Sequence, residues 1–380
     1  MADEVRGPDD WRPAVVYSSV WGPDQRPYPF QRRVTELLAE GKRVVLQAPT
    51  GAGKTRAALT AFLYSHLRQR LPGMPRKCLY AVPMRVLATQ FHTDHAAMLG
   101  SRGAVTIQTG EAQCDRRLAG NLIFLTIDQL LSSFLTMPYS LSARQANLNA
   151  GAVVGAYLVL DEFHLLDPAS TLPPTLDVLA RLEGLGPVLL MTATFSGEML
   201  GELASILRAE VVTTSPDEVA LIETSWATCP ARQRTWRVAP EPITADAVLA
   251  AHRSRTLVVC NQVARAQALY DELCGRHARV ILLHSRFLPE DRQRWENELQ
   301  DAFSQSSDAD VIAVATQVVE VGLDISADTL HTELAPAAAM IQRAGRCARY
   351  PGEAGTVWVY PTDSTRPYAN KVDDPFAVEM

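Results

Sequence analysis

A glycine-rich loop that ends in a lysine is the clearest chemical signal in this sequence. Residues 48–55 read Ala-Pro-Thr-Gly-Ala-Gly-Lys-Thr, between a short apolar run and an amphipathic helical pattern. Glycine lets the backbone approach a ligand closely, and the amino end of a helix carries a partial positive charge. We therefore expect the loop to hold ATP, with Lys54 on the β and γ phosphates and the Thr55 hydroxyl on Mg²⁺. The predicted ATP contacts in this loop are Thr50, Gly51, Ala52, Gly53, Lys54 and Thr55.

Two adjacent carboxylates, Asp161 and Glu162, follow the apolar run Tyr157–Leu160. If that run is a buried strand of an open α/β sheet, both lie at the edge where such sheets bind ligands. Asp161 is then suited to ligate Mg²⁺, and Glu162 to orient and deprotonate the attacking water. His164 is placed to hydrogen-bond across the cleft and respond to its closure. Acid pairs after strands also cap helices, so the catalytic interpretation depends on the phosphate loop.

A pair of hydroxyls stands at the end of another apolar run, because Thr192 and Thr194 follow Val188–Met191. We expect both hydroxyls to couple the presence or loss of the γ-phosphate to movement of the chain. Ser/Thr turns are common, and the interpretation depends on the order of the motifs along the sequence.

The second half of the chain carries an arginine-rich segment, Gln342-Arg343-Ala-Gly-Arg346-Cys-Ala-Arg349. Arginines three apart share one face of a helix, so we expect these three guanidinium groups to point at one target. Such groups stabilise the charge that spreads over a transferring phosphoryl group. We expect Arg346 and Arg349 to act in catalysis with Lys54, Arg343 to bind ATP and Gln342 to take part in coupling. A solvated basic helix face is the alternative.

Upstream of these arginines, residues 315–324 read Ala-Thr-Gln-Val-Val-Glu-Val-Gly-Leu-Asp and begin at the end of an apolar run. Gly322 permits close backbone approach to a ligand. Asp324 is placed to accept a hydrogen bond from a ribose or from one of the arginines expected to contact the transferring phosphoryl group (arginine fingers). We count both residues among the predicted ATP contacts.

The elements that must position these residues are short apolar runs alternating with helical patterns. The runs are apolar throughout, as in parallel sheets whose two faces are both covered, and we predict an α/β fold of two lobes, each a mostly parallel sheet with helices on both faces. Prolines between residues 213 and 242 break helices and weaken strands, which places lobe one at residues 1–215 and lobe two at 216–380. Candidate strands are Arg43–Gln47, Cys78–Val82, Leu122–Leu125, Tyr157–Leu160 and Val188–Met191, then Thr256–Cys260, Arg279–Leu283, Val311–Ala315, Leu330–Leu334 and Thr356–Tyr360.

Composition limits the class of protein. The 380 residues are 47% hydrophobic and 21% charged, which suits packed cores in two or three domains. No apolar run approaches the ~18 residues needed to span a bilayer, and the acidic amino terminus lacks a signal sequence, so we expect a soluble cytoplasmic protein without membrane contacts. Six cysteines without a Cys-x-x-Cys pair predict neither a zinc ribbon nor a disulfide framework. The net charge of −6 argues against indiscriminate polyanion binding but permits a local basic groove.

The phosphate loop and the arginines are predicted on different lobes, so neither lobe alone would hold a complete catalytic site. Bound ATP would favour a closed arrangement of the lobes, and loss of the γ-phosphate would release it. A polymer gripped by both lobes would then advance stepwise with each hydrolysis.

Together these motifs resemble those of superfamily 2 helicases, whose core is two RecA-like lobes. The resemblance extends from about Pro27 to about Tyr360. Finer details are similar to the CRISPR-associated helicase of type I interference systems. The informative pieces are Thr-Ile-Asp-Gln-Leu at 126–130, Asp-Glu-Phe-His at 161–164, Cys-Asn-Gln-Val-Ala-Arg-Ala-Gln at 260–267, Leu-His-Ser-Arg-Phe at 283–287 and the segment 315–324.

The resemblance implies ATP-dependent 3′-to-5′ translocation on single-stranded DNA, recruited by an RNA-guided surveillance complex during CRISPR interference against foreign DNA. It also implies that Gln31 reads the adenine. Contacts to DNA should fall mostly on phosphate and sugar and weaken with salt. The residues implied along the DNA path are Arg85, Thr109, Gly110, Thr126 and Gln129 in lobe one, and His284, Arg286, Thr316 and Gln317 in lobe two.

One departure from this family concerns its metal-dependent nuclease domain, which carries a His-Asp motif. None of the eight histidines here precedes an aspartate, so we expect no nuclease site in this chain. The nuclease would then belong to a separate polypeptide or a removed terminal domain. Two alternative functions remain open at this point: a helicase of the same superfamily that remodels RNA or duplexes, and a nucleotide-dependent module that recruits DNA without turnover.

Overall fold

The computed structural model describes residues 12–49, 51–168, 170–192, 195–226, 233–320, 323–350 and 352–362. The chain divides into two compact units, Met1–Ile222 and Glu223–Met380. The sequence placed the boundary at 215/216, in a segment where proline was expected to break helices. Pro216 instead begins a helix, Pro216–Trp226. Proline suits the first helical position because the backbone N–H it lacks has no partner there.

A parallel sheet forms the centre of the first unit. Among the described residues its strands are β1 (Val44–Gln47), β2 (Cys78–Val82), β3 (Val105–Gln108), β4 (Leu122–Thr126), β5 (Tyr157–Leu160), β6 (Val188–Thr192) and β7 (Glu210–Thr213). They lie in the order β3–β4–β2–β5–β6–β1–β7, and every pair is parallel. The carboxyl ends of all these strands therefore meet at one edge.

Helices cover both faces of this sheet. They are α1 (Pro13–Trp21), α2 (Pro29–Ala39), α3 (Lys54–Leu67), α4 (Arg85–His95), α5 (Ile127–Phe134), α6 (Ala146–Val154), α7 (Leu172–Arg181), α8 (Gly197–Leu207) and α9 (Pro216–Trp226). Leu79 and Leu158 pack in one apolar core with residues of α5 to α8. On the other face, the Tyr157 hydroxyl donates to the Ala58 carbonyl of α3, and the Tyr80 ring contacts Phe91 of α4.

The second unit repeats this architecture. In the described part of the unit, its strands are β8 (Gln233–Val238), β9 (Arg255–Val259), β10 (Val280–Leu283), β11 (Val311–Ala315), β12 (Thr329–Glu333) and β13 (Ala354–Tyr360). They are parallel in the order β10–β11–β9–β12–β13–β8. Separate apolar cores lie on the two faces of the sheet. The helices are α10 (Ala245–Ala251), α11 (Val263–Cys274), α12 (Pro289–Ala302) and α13 (Ala337–Ala344).

The predicted α/β fold with two parallel sheets is confirmed. Each predicted strand is present with its ends shifted by two residues at most, and the strands that the sequence missed are β3, β7 and β8. All three lie at an edge of their sheet. An edge strand pairs on one side only and can bury less side-chain area, so it does not need a continuous apolar run, although the edge strand β10 has one. The six residues of β8 are mostly exposed for this reason.

No helix in the described ranges is both long and apolar enough to cross a bilayer.

Arg43 ties two helix ends to the first sheet and allows a stability test. Its buried guanidinium donates to the carbonyls of Leu179 and Leu207, near the carboxyl ends of α7 and α8. We expect Arg43→Ala to lower the free energy of unfolding by about 1–3 kcal/mol, because buried carbonyls lose their partners. Urea unfolding followed by circular dichroism measures this, with the exposed Arg32→Ala of α2 as control. Equal stability of the two variants would contradict the assigned role.

Candidate functional site

The loop between β1 and α3 has the backbone that phosphate binding requires. Gly51 and Gly53 have φ angles of 82° and 84°, which L side chains rarely adopt. Lys54 begins α3, and its Nζ donates to the Ala48 carbonyl at 3.1 Å. Among the described residues, no side chain caps the first turn of α3, so its backbone N–H groups suit an anion. Thr50, also predicted to contact ATP, lies outside the described residues.

Gln31 holds this loop against α2. Its Nε2 donates to the Gly53 carbonyl at 3.1 Å and lies 3.4 Å from that of Ala52, while its Oε1 accepts from the Tyr28 N–H at 2.9 Å. A Cβ at Gly53 would lie only 2.7 Å from Gln31 Nε2. The structure therefore places Gln31 beside the loop, with both amide atoms hydrogen-bonded within the protein. Its reading of adenine stays a prediction.

Tyr80 brings the two predicted Mg²⁺ ligands together. Asp161 follows β5, Tyr80 lies on the neighbouring strand β2, and the Tyr80 hydroxyl donates to Asp161 Oδ2 at 2.6 Å. Burial raises the pKa of the Tyr80 phenol well above its ordinary value, and the nearby Thr55 hydroxyl lowers that pKa in part. A hydroxyl and a carboxylate oxygen beside a phosphate loop are the ligands that Mg²⁺ prefers. The residues present thus fit a magnesium–nucleotide complex.

The carboxyl group of Asp161 has a raised pKa. Burial and the neighbouring charge of Glu162 raise it to about 6, against the opposing effects of the Lys54 ammonium and the Tyr80 hydrogen bond. The Glu162 N–H also donates to Asp161 Oδ1 at 2.8 Å. Asp161 is therefore ionised near neutral pH and gains a proton when the pH falls through about 6.

His164 links Glu162 to the end of β6. Glu162 has a left-handed backbone with φ of 49°, which is strained for a residue other than glycine. Its Oε2 lies 3.6 Å from His164 Nδ1, and Thr192 Oγ1 lies 3.3 Å from the same nitrogen. Burial and the Lys54 charge lower the pKa of His164 to about 4, so the ring is neutral near neutral pH. The structure brings these predicted coupling residues together, and Thr194 lies outside the described residues.

The residues predicted along the DNA path in the first unit lie at the carboxyl ends of β2, β4 and β3, which are neighbours in the sheet. Arg85 is exposed and its Nη1 donates to Glu111 Oε1 at 2.6 Å. A Cβ at Gly110 would lie 3.2 Å from Arg85 Nη2, so the glycine allows this side chain to cross the loop. Arg85 and Gly110 are open to solvent, whereas the side chains of Thr109, Thr126 and Gln129 are buried.

In the second unit, the structure places Arg343 in the interior, and its binding to ATP stays a prediction. Its side chain is fully buried, and its Nε donates to Glu320 Oε1 at 2.8 Å. The two Nη atoms donate to Thr332 Oγ1, to the Glu333 carbonyl and to Asn261 Oδ1 at 2.9–3.0 Å. Arg343 is thus an interior residue that joins β12 to two loops.

The expected common helical face of the three arginines is absent, because α13 ends at Ala344. Arg346 donates to the carbonyls of Val319 and Glu320 at 3.0 and 2.7 Å. Arg349 Nε donates to Asp324 Oδ1 at 2.6 Å, so Asp324 accepts a hydrogen bond from one of the arginines predicted to act in catalysis, and its contact with ATP stays a prediction. Gln342 is half-buried in the last turn of α13, and Gly322 lies outside the described residues.

The predicted DNA contacts of the second unit surround the ends of β10 and β11. The Thr316 N–H donates to the Leu283 carbonyl at 3.2 Å, and Gln317 Nε2 donates to the Asn261 carbonyl at 2.9 Å. The His284 ring stacks on Phe287 with centroids 4.4 Å apart. Beside them is a cavity of about 460 Å³ lined by Gln267, Tyr270, Leu282, His284, Arg286, Phe287 and Trp295.

Sequence reasoning missed several residues that hold these sites. Tyr80 was hidden inside an apolar strand, where only its hydroxyl distinguishes it from a core aromatic residue. Glu333 ends β12 with a fully buried carboxylate, which accepts from the Asn261 N–H at 2.6 Å and lies 2.5 Å from Arg265 Nε. A polar residue at the end of an apolar run was the available signal for Asn261 and Glu333.

Two families match the chain over separate segments. Residues 28–203 match the DEAD/DEAH box helicase family, and residues 252–352 match the C-terminal family of the CRISPR-associated nuclease/helicase Cas3. The first match lies within the first unit and the second within the other.

The chain is also similar to curated CRISPR-associated Cas3 proteins. The chain is 30% identical over 342 residues to a putative CRISPR-associated nuclease/helicase Cas3 of Myxococcus xanthus, which covers 85% of this chain and 43% of that protein. It is 27% identical over 360 residues to the CRISPR-associated helicase Cas3 of Thermoproteus tenax, with coverage of 89% and 59%. The chain spans about half the length of the curated relatives it matches.

Solved structures support the fold. A T. fusca Cas3 structure with AMPPNP matches with a TM-score of 0.71 at 22% identity, over 92% of this chain and 48% of that one. A chain of a CRISPR RNA-guided surveillance complex, pre-nicking, matches with a TM-score of 0.61 at 23% identity, over 90% and 45%.

The different environments of Arg343 and Arg349 predict different costs of removal. We expect Arg343→Ala to lower the free energy of unfolding by about 3–5 kcal/mol, because it leaves Glu320 and buried acceptors without their partner. Arg349→Ala, which removes a solvent-exposed ion pair with Asp324, should cost less than about 1 kcal/mol. Denaturant unfolding of both variants tests this. An Arg343→Ala protein as stable as the parent would contradict the interior role.

Proposed function

We propose a motor function for this chain, which is a superfamily 2 helicase core of the CRISPR-associated Cas3 family. In this proposal the chain hydrolyses ATP and moves 3′-to-5′ along single-stranded DNA in type I CRISPR interference. The observation that carries it is the cluster of Lys54, Asp161 and Glu162 at the carboxyl edge of the first sheet, linked through His164 to Thr192.

The first unit would bind the nucleotide. Lys54 would exchange the Ala48 carbonyl for phosphate oxygens, and Thr55 and Asp161 would hold Mg²⁺ beside Tyr80. The bound metal ion would neutralise charge on the phosphates. Glu162, whose side chain is partly exposed, would orient the attacking water and accept its proton. Because His164 is neutral, it does not compete as a cation for the Glu162 carboxylate.

The second unit would supply the arginines. Arg349 is 31% exposed and its partner Asp324 50%, so this guanidinium can exchange a carboxylate for a phosphate without leaving a buried charge unpaired. Arg346 is more constrained, because two backbone carbonyls hold it. We propose that both groups contact the γ-phosphate when ATP is bound, and that its loss changes the relation of the two units.

DNA would follow the carboxyl edges of both sheets. Arg85 and Arg286 are the exposed cations among the predicted contacts there, and each can bind a phosphate without base preference. The relatives named for nuclease and helicase activity, and the match to a surveillance-complex chain, support recruitment at a target opened by an RNA-guided complex. Cleavage of DNA would then come from a nuclease domain or polypeptide other than these two units.

Hydrolysis is tested by removing the proposed base. We expect Glu162→Gln to bind ATP but to lower single-turnover phosphate release by about 10²–10⁴-fold. Glu183→Gln, which loses a surface carboxylate paired with Arg208, is the matched control and should keep the parent rate. Unchanged phosphate release in Glu162→Gln would contradict catalysis by this residue, and the absence of turnover in the parent chain would favour a binding module.

The choice of polymer is a separate test. Matched single-stranded DNA and RNA are added to the ATPase assay, and we expect DNA to stimulate more strongly. Stimulation should fall as salt rises, because the predicted contacts are to phosphates. Displacement of a strand from 3′-tailed but not 5′-tailed duplexes is expected from the proposed polarity. Stronger stimulation by RNA would favour an RNA-remodelling helicase.

The raised pKa of Asp161 predicts the pH dependence of nucleotide binding. Protonation removes the negative charge that attracts Mg²⁺, so affinity for Mg²⁺–ATP should decrease as the pH falls through about 6. The Tyr80 hydrogen bond favours the carboxylate, so Tyr80→Phe should move the midpoint upward by ~1 pH unit. Titration with a fluorescent ATP analogue measures both midpoints, with Tyr139→Phe at the exposed surface as control. A midpoint that Tyr80→Phe leaves unchanged would exclude Asp161 as its source.

A further inference from the structure

Two histidines and an aspartate meet at the amino edge of the second sheet. His252 precedes β9, His277 precedes β10, and Asp310 directly precedes β11. These strands are neighbours in the order β10–β11–β9, so their amino ends bring the three connections together. The predicted DNA contacts of this unit follow the carboxyl ends of β10 and β11, at the opposite edge. The cluster therefore belongs to none of the sites described above.

The three side chains have the spacing of metal ligands. Asp310 Oδ1 lies 2.8 Å from His252 Nε2 and 3.4 Å from His277 Nε2. All three ligand atoms lie within 4.8 Å of one another. The two rings meet edge to face, at 82° with centroids 4.7 Å apart, and both Nε2 atoms approach Asp310 Oδ1. Ligands of a tetrahedral Zn²⁺ ion with bonds of 2.0–2.1 Å are about 3.3 Å apart, close to the distance from Asp310 to His277. The shorter contact of Asp310 with His252 is a hydrogen bond, which a bound ion would replace by moving the two groups slightly apart.

Each imidazole is held by a partner at its other nitrogen. His252 Nδ1 lies 2.7 Å from the hydroxyl of Thr256, a fully buried residue of β9. His277 Nδ1 lies 3.1 Å from the Arg279 carbonyl and 3.3 Å from the Arg279 N–H. When Nδ1 of His252 donates to the Thr256 hydroxyl and Nδ1 of His277 to the Arg279 carbonyl, each Nε2 is unprotonated and can bind a metal, as is common for histidine ligands. Both rings are also largely buried, with 11% of each side chain exposed.

The surrounding charges permit a cation. Asp310 is 72% exposed and is the carboxylate that both rings face, and the two histidines lower its pKa. The guanidinium of Arg279, which follows His277 closely, is directed to Glu298 at 3.2 Å. The exposure of Asp310 leaves room for water or a further ligand in the open coordination position.

We propose that His252, His277 and Asp310 bind one divalent transition-metal ion, for which Zn²⁺ is the probe. Two imidazoles and one carboxylate suit Zn²⁺, Co²⁺ or Ni²⁺ and disfavour Mg²⁺, which prefers oxygen ligands. The ion would join the connections before β9, β10 and β11 and so stabilise the second unit against unfolding. The proposal does not depend on ATP hydrolysis or on DNA binding.

Metal binding is measured on the tag-free chain after treatment with a chelator. Zn²⁺ is titrated in competition with a chromophoric chelator. We expect the parent chain to bind one equivalent of Zn²⁺, and we expect Asp310→Asn to bind Zn²⁺ at least ~10-fold more weakly. Asp308→Asn removes an exposed carboxylate two residues away and is the matched control. Equal affinity of the parent chain and Asp310→Asn, or no binding by the parent chain, would overturn the proposal.

A second measurement distinguishes loss of the metal site from loss of the fold. Co²⁺ bound by two histidines and an aspartate in a four-coordinate site should give visible absorption, and His277→Ala should lose this absorption while keeping the circular dichroism of the parent. Zn²⁺ should also raise the thermal unfolding midpoint of the parent chain but not that of Asp310→Asn. A Zn²⁺ shift of the same size in Asp310→Asn would assign the ion to another site, such as Asp161 and Glu162, and reject this one.

Discussion

The hydrogen bond from Tyr80 to Asp161 is the interaction on which the candidate site depends. A buried carboxylate is costly to keep ionised unless donors surround it. Here the phenol donates to one oxygen and the Glu162 N–H to the other, while Lys54 supplies a nearby positive charge. The same arrangement fixes Thr55 next to Tyr80. Asp161 thereby connects Tyr80 of β2 to Glu162, the residue proposed as base, beside the ammonium group of Lys54.

The second unit also buries a charged group, in this case the positive charge of Arg343. Arg343 places a permanent charge in the interior, and Glu320, Thr332, the Glu333 carbonyl and Asn261 surround it with acceptors. The Glu333 carboxylate in turn accepts from the Asn261 N–H and faces Arg265. Removing Arg343 from this network would leave its acceptors unpaired in a low-dielectric interior. This network holds the loop after β9 and the turn after β11 against β12.

The amino and carboxyl ends of the strands in the second sheet carry different chemistry. The carboxyl ends of the strands in both sheets carry the residues predicted to contact nucleotide and nucleic acid, as expected for open parallel sheets. At the amino edge of the second sheet, a cluster of two histidines and one aspartate offers a site of different chemistry. A metal ion bound at that edge would add stability to the second unit by itself.

The sequence by itself determined the local features: the phosphate loop, the apolar runs of the inner strands, and the polar residues that follow them. These are encoded by neighbouring residues, because an inner parallel strand must be apolar on both faces and its carboxyl end must carry the site. The tertiary structure alone decided which arginine is buried, since Arg343 and Arg349 share one motif and differ only in what packs around them. The tertiary structure also established the strands β3, β7 and β8, the hydrogen bond from Tyr80 to Asp161, and the proximity of His252, His277 and Asp310. Those depend on residues far apart in the chain, whose proximity is created by strand order and cannot be read from spacing.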